Sequence, residues 1–225
     1  MYSKEQYVFK DNHIHKAVIR NYRENDFDAL ILIQQKAFPP PFPSDLCWNK
    51  DQLTQHLSHF PLGAICVEID GKVVGSMTSL IVDFTPSDPP HTWEEITDNG
   101  YIRNHKPNGN TLYVVDLCIA PDYRGFKLGK VMMEAMYEIV VHLHLERLLG
   151  GARIPTYHKV ADTLRIEEYM KMLTRGEYKD PVITFLLQAG RTPLKAIKDY
   201  IEDEESCHYG VLMEWRNPFK KNYIP

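Results

Sequence analysis

Apolar residues recur along the chain with a period of two in some segments and near 3.6 in others, and the alternation of these segments predicts strands and helices. Residues 17–22 set Ala17 and Ile19 against Val18 and Arg20, a short strand. Asn25 then offers an N-cap. Asp26 and Asp28 follow in the first turn, where the helix dipole favours negative charge. Phe27, Leu30, Ile31, Ile33, Gln34 and Phe38 keep one helical face mostly apolar. The run Phe38-Pro39-Pro40-Pro41-Phe42-Pro43 must stop that helix, because proline lacks an amide donor. A second helix is expected over residues 50–59, ending before Pro61. Residues 64–69 and 73–82 are β-rich, and Asp70-Gly71 between them is a hairpin turn.

Residues 84–110 carry Pro86, Pro89, Pro90, Gly100, Pro107 and Gly109, which predicts a long loop with one helical turn near Trp93. Residues 112–120 form a buried strand, 121–126 a turn, and 127–146 a long helix whose apolar set runs from Leu128 to Leu143. A short strand at 148–152 contains Gly150 and Gly151. Helical patterns follow at 161–173 and 181–188, and two closing strands at 194–200 and 209–215. With no repeat and no linker, the reading is one domain over residues 1–225 of the α/β class.

Composition narrows the function. The 225 residues are 44% hydrophobic and 25% charged, as in an ordinary globular protein. With 26 Lys and Arg against 30 Asp and Glu, the net charge of −4 argues against a nucleic-acid partner. Cys47, Cys66, Cys118 and Cys207 are too scattered for a disulfide framework or a structural zinc site, so the cytoplasm is expected. The first residues have no apolar core of a signal peptide, and no apolar run approaches the roughly 20 residues of a membrane span.

The richest stretch for chemistry is residues 114–130, VVDLCIAPDYRGFKLGK. A buried strand ends at Pro121, a turn carries Arg124-Gly125, and a long helix begins at once. A helix start leaves amide donors unpaired and carries partial positive charge, so this turn suits a phosphate. The competing reading is a plain strand-turn-helix with a glycine turn. A P-loop is excluded by spelling, since Gly125 and Gly129 are separated by three residues and Val131 follows Lys130. A dinucleotide fingerprint is not spelled at all.

Ile119-Ala120-Pro121 and Arg124-Gly125-Phe126-Lys127-Leu128-Gly129 resemble the signature of the GNAT family of N-acetyltransferases: a hydrophobic strand, V-x-P, then R-G-x-G-x-G opening a helix. The element order also fits. Phe60-Pro61-Leu62-Gly63, His91-Thr92-Trp93, Gly150-Gly151-Ala152-Arg153-Ile154-Pro155, Asp180-Pro181-Val182 and Trp215-Arg216-Asn217-Pro218 resemble a subgroup that includes acetyltransferase domains fused to a carbon–nitrogen hydrolase. The chain ends at Pro225, so a free-standing version is expected. The likeness covers nearly the whole chain and departs at Lys127, where the middle glycine stands in the family.

The resemblance implies a GNAT fold, a mixed and mostly antiparallel sheet flanked by helices, and transfer of an acetyl group from acetyl-CoA to an amine. It places the pyrophosphate on the backbone of Arg124, Gly125, Phe126, Lys127, Leu128, Gly129 and Lys130, and the pantetheine arm along Leu117, Cys118 and Ile119. Expected partners are a small-molecule or peptide amine and a second copy of the chain, with neither nucleic acid nor membrane. The rival class is a non-catalytic acyl-CoA-binding sensor or interaction module.

Amine attack on a thioester needs a base, donors for the developing oxyanion and an acid for the thiolate. Asp116 is the candidate base, against a strand acid bonded to backbone or a cation. The family's usual tyrosine acid is missing before Gly190-Arg191, and Tyr157 substitutes by position only, against an ordinary packed tyrosine. Trp93 and His105 are candidates for the acceptor pocket, against local loop packing. Cys118 reads as a small core residue and the acidic stretch 202–205 as a solvated turn. His13-x-His15 and His142-x-His144 read as exposed or capping histidines, so no metal is expected.

Overall fold

The computed structural model describes residues 1–220; residues 221–225 of the expected domain lie outside the described residues. The chain opens with a hairpin that the apolar pattern only half reveals. Strands β1 (Ser3–Lys10) and β2 (His13–Asn21) meet at Asp11-Asn12, whose φ angles of 50° and 63° suit the twist of a two-residue hairpin turn. In β1 only Val8 is buried, while Tyr7 and Phe9 are exposed, so an edge strand with little core face carries little signal.

Helix α1 (Phe27–Ala37) starts one residue later than an N-cap at Asn25 predicts. Residues 24–26 form a 3₁₀ turn instead, and the Asp26 carboxylate accepts from the Arg23 amide at 2.8 Å and pairs with Arg20. Helix α2 (Lys50–His59) is closed by a reciprocal Asn49–Gln52 capping box at 2.9 and 3.0 Å. Strands β3 (Ala64–Ile69) and β4 (Lys72–Val82) turn at Asp70-Gly71, with φ of 51° and 84°. The one helical turn of the long loop is α3 (Trp93–Thr97), followed by β5 (Thr111–Ile119).

Helix α4 (Leu128–His142) is shorter than expected because the chain turns at His144, in the left-handed region at φ 54°. Strand β6 (Arg147–Ala152), helices α5 (Ile166–Arg175) and α6 (Pro181–Gln188), and strands β7 (Thr192–Ile197) and β8 (Gly210–Arg216) complete the chain. Helix α5 begins five residues after the pattern suggests. Helix α6 starts after Asp180, whose carboxylate accepts from the Val182 and Ile183 amides at 2.9 and 3.1 Å.

The sheet runs β1-β2-β3-β4-β5-β6-β8-β7, and every neighbour is antiparallel except β5–β6. A contiguous apolar core extends from Val8 to Met213. Two irregularities at β5 position the site. β5 pairs with parallel β6 only at Thr111–Arg147, Leu112–Leu148 and Tyr113–Leu149, and then the strands part while β6 stays paired to β8. On its other edge, β5 shifts register against β4: Ser79 faces Val114 and Thr78 faces Asp116, so Val115 is an extra residue. The sheet therefore opens as a wedge between residues 114–119 and 150–152.

Candidate active site

A cavity of about 660 Å³ fills the wedge. One wall is β5 from Val114 to Ile119, the other Gly150 to Arg153, and both Gly129 of α4 and Phe185 of α6 reach it. The Ala120 amide bonds Val74 O on β4 at 2.8 Å. Alternation along the strand then turns the amides of Leu117 and Ile119 away from β4, into the wedge. These are the strand positions the sequence singles out, and Leu117, Cys118 and Ile119 all line the cavity.

The turn before α4 leaves a run of amide donors open. Gly125 has φ 97° and Lys127, the N-cap, has φ 61° and ψ 22°. Lys127 thus adopts the backbone that the family's glycine would take, at a cost of order 1 kcal/mol, and adds an ammonium. Lys130 and Val131 both donate to Lys127 O, and among the described residues the amides of Gly125, Phe126, Lys127, Leu128 and Gly129 have no backbone acceptor. Phe126 and Leu128 bury their side chains, so only their backbones can serve a ligand. A Cβ at Gly129 would lie 3.1 Å from Phe185 Cζ, whereas one at Gly125 meets nothing closer than 3.9 Å. Glycine is thus needed at 125 for its φ angle and at 129 for space. Arg124 donates to Ala37 O at 3.3 Å, and Lys10 covers the Phe126 ring at 4.8 Å.

Asp116 faces this cavity. The residue is partly exposed through it, while Oδ2 is enclosed and has no partner. Burial pushes its carboxyl up to about 7, against the opposing pull of the Gln34 side chain, the Cys118 thiol and the Leu117 amide. The adjoining polar chain is buried. Thr78, opposite Asp116, lies 3.2 Å from the Tyr22 hydroxyl, which lies 2.8 Å from His56 Nδ1. Cys118 is 3% exposed and its thiol is raised well above the ordinary range, first by burial and then by Asp116. That holds it as an uncharged wall group rather than a nucleophile.

Two other candidates are placed elsewhere. The Tyr157 hydroxyl donates to Leu164 O at 3.1 Å, and its ring packs on Tyr169 and Tyr209 outside the cavity wall. The loop after Ile154-Pro155 folds back over α5 and carries Tyr157 into the core. His105 Nδ1 accepts from the Ile81 amide at 3.0 Å and its ring stacks on Phe60 at 4.5 Å, so it anchors the long loop to β4. Trp93 does line the cavity, with Nε1 donating to Val115 O at 3.1 Å and its ring stacked on Trp48.

Several wall residues escape a one-dimensional reading. Phe38 and Phe42, which serve in the sequence only to end a helix, flank Arg153 at 5.8 and 4.7 Å. Arg153 in turn is held by Asp203 at 2.8 Å and Glu205 at 3.0 Å. The acidic stretch is therefore solvated only in part: Glu202 and Glu204 are exposed, while the Asp203 side chain is 2% exposed. Tyr200 reaches the wall and its hydroxyl lies 2.8 Å from that of Tyr113, which lies 3.1 Å from His91 Nε2. The legible signal was Gly150-Gly151 inside a strand, which marks close approach of other atoms. A Cβ at Gly151 would fall 2.1 Å from Tyr200 Cζ. Among the described residues, no group of three His, Cys, Asp or Glu could hold a metal ion, and no helix is long and apolar enough to cross a membrane.

Comparison with known proteins agrees with this architecture. The family model for the acetyltransferase (GNAT) family matches residues 27–159. The chain is 50% identical over 218 residues to the uncharacterized N-acetyltransferase YkwB of Bacillus subtilis strain 168, covering 97% of this chain and 96% of that one. It is 39% identical over 211 residues to the probable hydrolase YhcX of the same organism, covering 93% of this chain but 40% of the relative. Among solved structures, the GphF GNAT-like decarboxylase in complex with isobutyryl-CoA superposes with a TM-score of 0.76 at 23% identity, over 88% of this chain and 98% of that one. That last likeness concerns the fold.

Proposed function

The chain belongs to the acetyltransferase (GNAT) family, and from that premise we propose that it is a single-domain cytoplasmic N-acetyltransferase that moves an acyl group, acetyl as the expected one, from its CoA thioester to an amine. The observation that carries this reading is the wedge. The free edge of β5 meets, in one cavity, a turn of unpaired amides at one end and, on the wall, a carboxyl whose Oδ2 has no partner.

The residues fit a CoA thioester. The amides from Gly125 to Gly129, with the charges of Arg124, Lys127 and Lys130, suit the pyrophosphate. The amides of Leu117 and Ile119 suit an extended amide-bearing arm, which would add to β5 as a strand. When bound, the thioester supplies an activated acyl carbon. The chain supplies the rest. Amides turned into the wedge stabilise negative charge as it develops on the acyl oxygen. Asp116 Oδ2 takes the amine's proton, directly or through one water, and a carboxyl near 7 is well matched to that task at neutral pH; as the C–N bond forms the C–S bond breaks, and CoA leaves as a thiolate that takes its proton from solvent. The aromatic mouth formed by Phe38, Phe42, Trp48 and Trp93 is suited to the body of a small amine or peptide acceptor.

The test is free-thiol release from acetyl-CoA with a panel of amines and peptides, read with mass detection of the acetylated product. Turnover with at least one amine supports the reading. Tight CoA binding with no thiol release across the panel, from acetyl-CoA or from malonyl-CoA and succinyl-CoA, would assign the same cavity to a non-catalytic sensor or interaction module instead.

A further inference from the structure

Four arginines of this chain have shielded side chains, and three of them bridge two carboxylates each. Arg20 holds Asp26 and Glu68, Arg147 holds Glu146 and Glu214, and Arg153 holds Asp203 and Glu205. Arg191 is the exception. It is 3% exposed and lines the cavity, yet it has no carboxylate partner among the described residues. Its Nη2 donates to the carbonyls of Met213 and Gly150, the latter at 3.4 Å, and its Nε has no partner at all. The ionisable groups around it are the phenols of Tyr137, Tyr113 and Tyr200, and burial draws the guanidinium down to about 10. It remains a cation at neutral pH. Enclosing an unpaired cation is costly, and a fold that bridges its other shielded arginines has left this one uncompensated at a cavity wall.

Its placement says which ligand group it faces. Successive residues of β6 point to opposite faces of the sheet. A Cβ on Gly150 would lie 3.3 Å from Arg191 Nη2 and 3.1 Å from Val114 O, and one on Gly151 would strike Tyr200. Arg191 therefore lies on the face opposite Tyr200, the face of Tyr137 and α4, at the point where β5 and β6 part. The anion-binding turn has its own donors at the N-terminus of α4, and the acceptor mouth has Arg153. The inner end of the wedge is where a thioester arm laid along β5 would bring its acyl group.

We propose that Arg191 is the counterion for a carboxylate at the end of the acyl group, so that the donor is a short dicarboxylic acyl-CoA. This rests on reading the cavity as a CoA thioester site and names the donor class for it. A charge-assisted, two-point contact in an enclosed site is strong and selective.

Affinity rather than turnover tests it, by calorimetry on the wild-type protein with CoA, acetyl-CoA, malonyl-CoA, succinyl-CoA and isovaleryl-CoA. The last has the shape of the malonyl thioester without its charge. The expected result is that malonyl-CoA or succinyl-CoA binds about tenfold or more tighter than isovaleryl-CoA. In Arg191→Met that preference should vanish while CoA and acetyl-CoA keep their affinities, and Arg191→Lys should retain part of it. Isovaleryl-CoA binding as tightly as both charged thioesters overturns the proposal, and this arm needs no variant to fold. Equal weakening of CoA, acetyl-CoA and malonyl-CoA in a folded Arg191→Met also overturns it, since Arg191 would then serve the arm common to all three. Binding of none of the five would remove the CoA reading itself, and this proposal with it.

Discussion

Trp93 Nε1 donates to Val115 O at 3.1 Å, so an indole from the long loop holds the one residue of β5 that faces no partner on β4. The loop that carries Trp93 is thereby tied to the bulge that opens the wedge. Its ring, stacked on Trp48, is also part of the cavity wall.

Replacing Trp93 by Phe keeps an aromatic wall but removes this bond. kcat/KM for the amine should fall about tenfold, the worth of one hydrogen bond near its upper range, with CoA affinity little changed. Trp93→Ala should also lower stability by about 3–5 kcal/mol. Steady-state kinetics with each substrate varied in turn, beside chemical denaturation, separate the two. Equal effects of Trp93→Phe on both substrates would place its influence away from the acceptor side.

Asp116→Asn should lower turnover by about 10²–10⁴-fold while CoA affinity holds. Its effect on stability has a definite sign. The carboxyl rises from an ordinary 3.8 to about 7 on folding, so the folded protein binds its proton more tightly than the unfolded chain. The resulting stabilisation is complete below pH 3.8 and is lost as pH rises through about 7. Asp116→Asn should therefore gain on the wild type above pH 7, by up to about 4 kcal/mol, with the gain fading toward pH 4. Thermal melts from pH 4 to 9 test this, and a gap that does not change with pH would show that the carboxyl is not held protonated.

His56 titrates in the opposite direction. Burial pulls its imidazole from 6.5 to about 4, against the Gly100 carbonyl it contacts at 2.6 Å. The stability gained by keeping it neutral is present above pH 6.5 and is lost as pH falls through about 4. Its ring signals in NMR should stay those of a neutral imidazole at pH 5, and a charged ring at that pH would show that burial does not hold it neutral.

The turn before α4 separates conformation from space. Lys127→Gly should stabilise the apo protein by up to about 1 kcal/mol, because glycine takes the left-handed region freely. It should weaken CoA binding only modestly, through the lost charge. Gly129→Leu should abolish the thermal shift caused by CoA, which at about 100 times its dissociation constant is worth about 2.7 kcal/mol in the wild type.

Gly151→Ala tests the glycine pair. The added methyl cannot fit beside the Tyr200 ring, so a loss of about 1–3 kcal/mol is expected. Pairing it with Tyr200→Ala should recover part of that loss if the clash is its cause.

The elements read from periodicity match the fold closely where a segment buries one face. α2, α6 and β3 have the expected limits, and β4, β5 and β8 are displaced by one residue. Two of the exceptions share a cause. β1 buries only Val8, and α1 begins after a turn that Asp26, not Asn25, organises from a distance through Arg20. Neither signal is local.

For the site, the division falls between backbone and side chains. The strand-turn-helix at 114–130 was legible because amide donors, glycine conformations and a helix start are properties of neighbouring residues. Asp116 was legible as an acid in an apolar strand. Whether it is enclosed was not, because Gln34 and Trp48 come to the same cavity from α1 and the loop after it. Tyr157 and His105 stood near the right motifs, but their side chains turned into the core and onto β4. Arg191, Arg153 and Tyr200 reach the cavity from segments distant in sequence, brought there by the parting of β5 and β6. Local chemistry along the chain therefore determined the turn of open amides and the candidate base. The aromatic end of the cavity and the unpaired cation were decided by tertiary structure, because a buried charge acquires or lacks a partner only when remote strands and loops are packed around it.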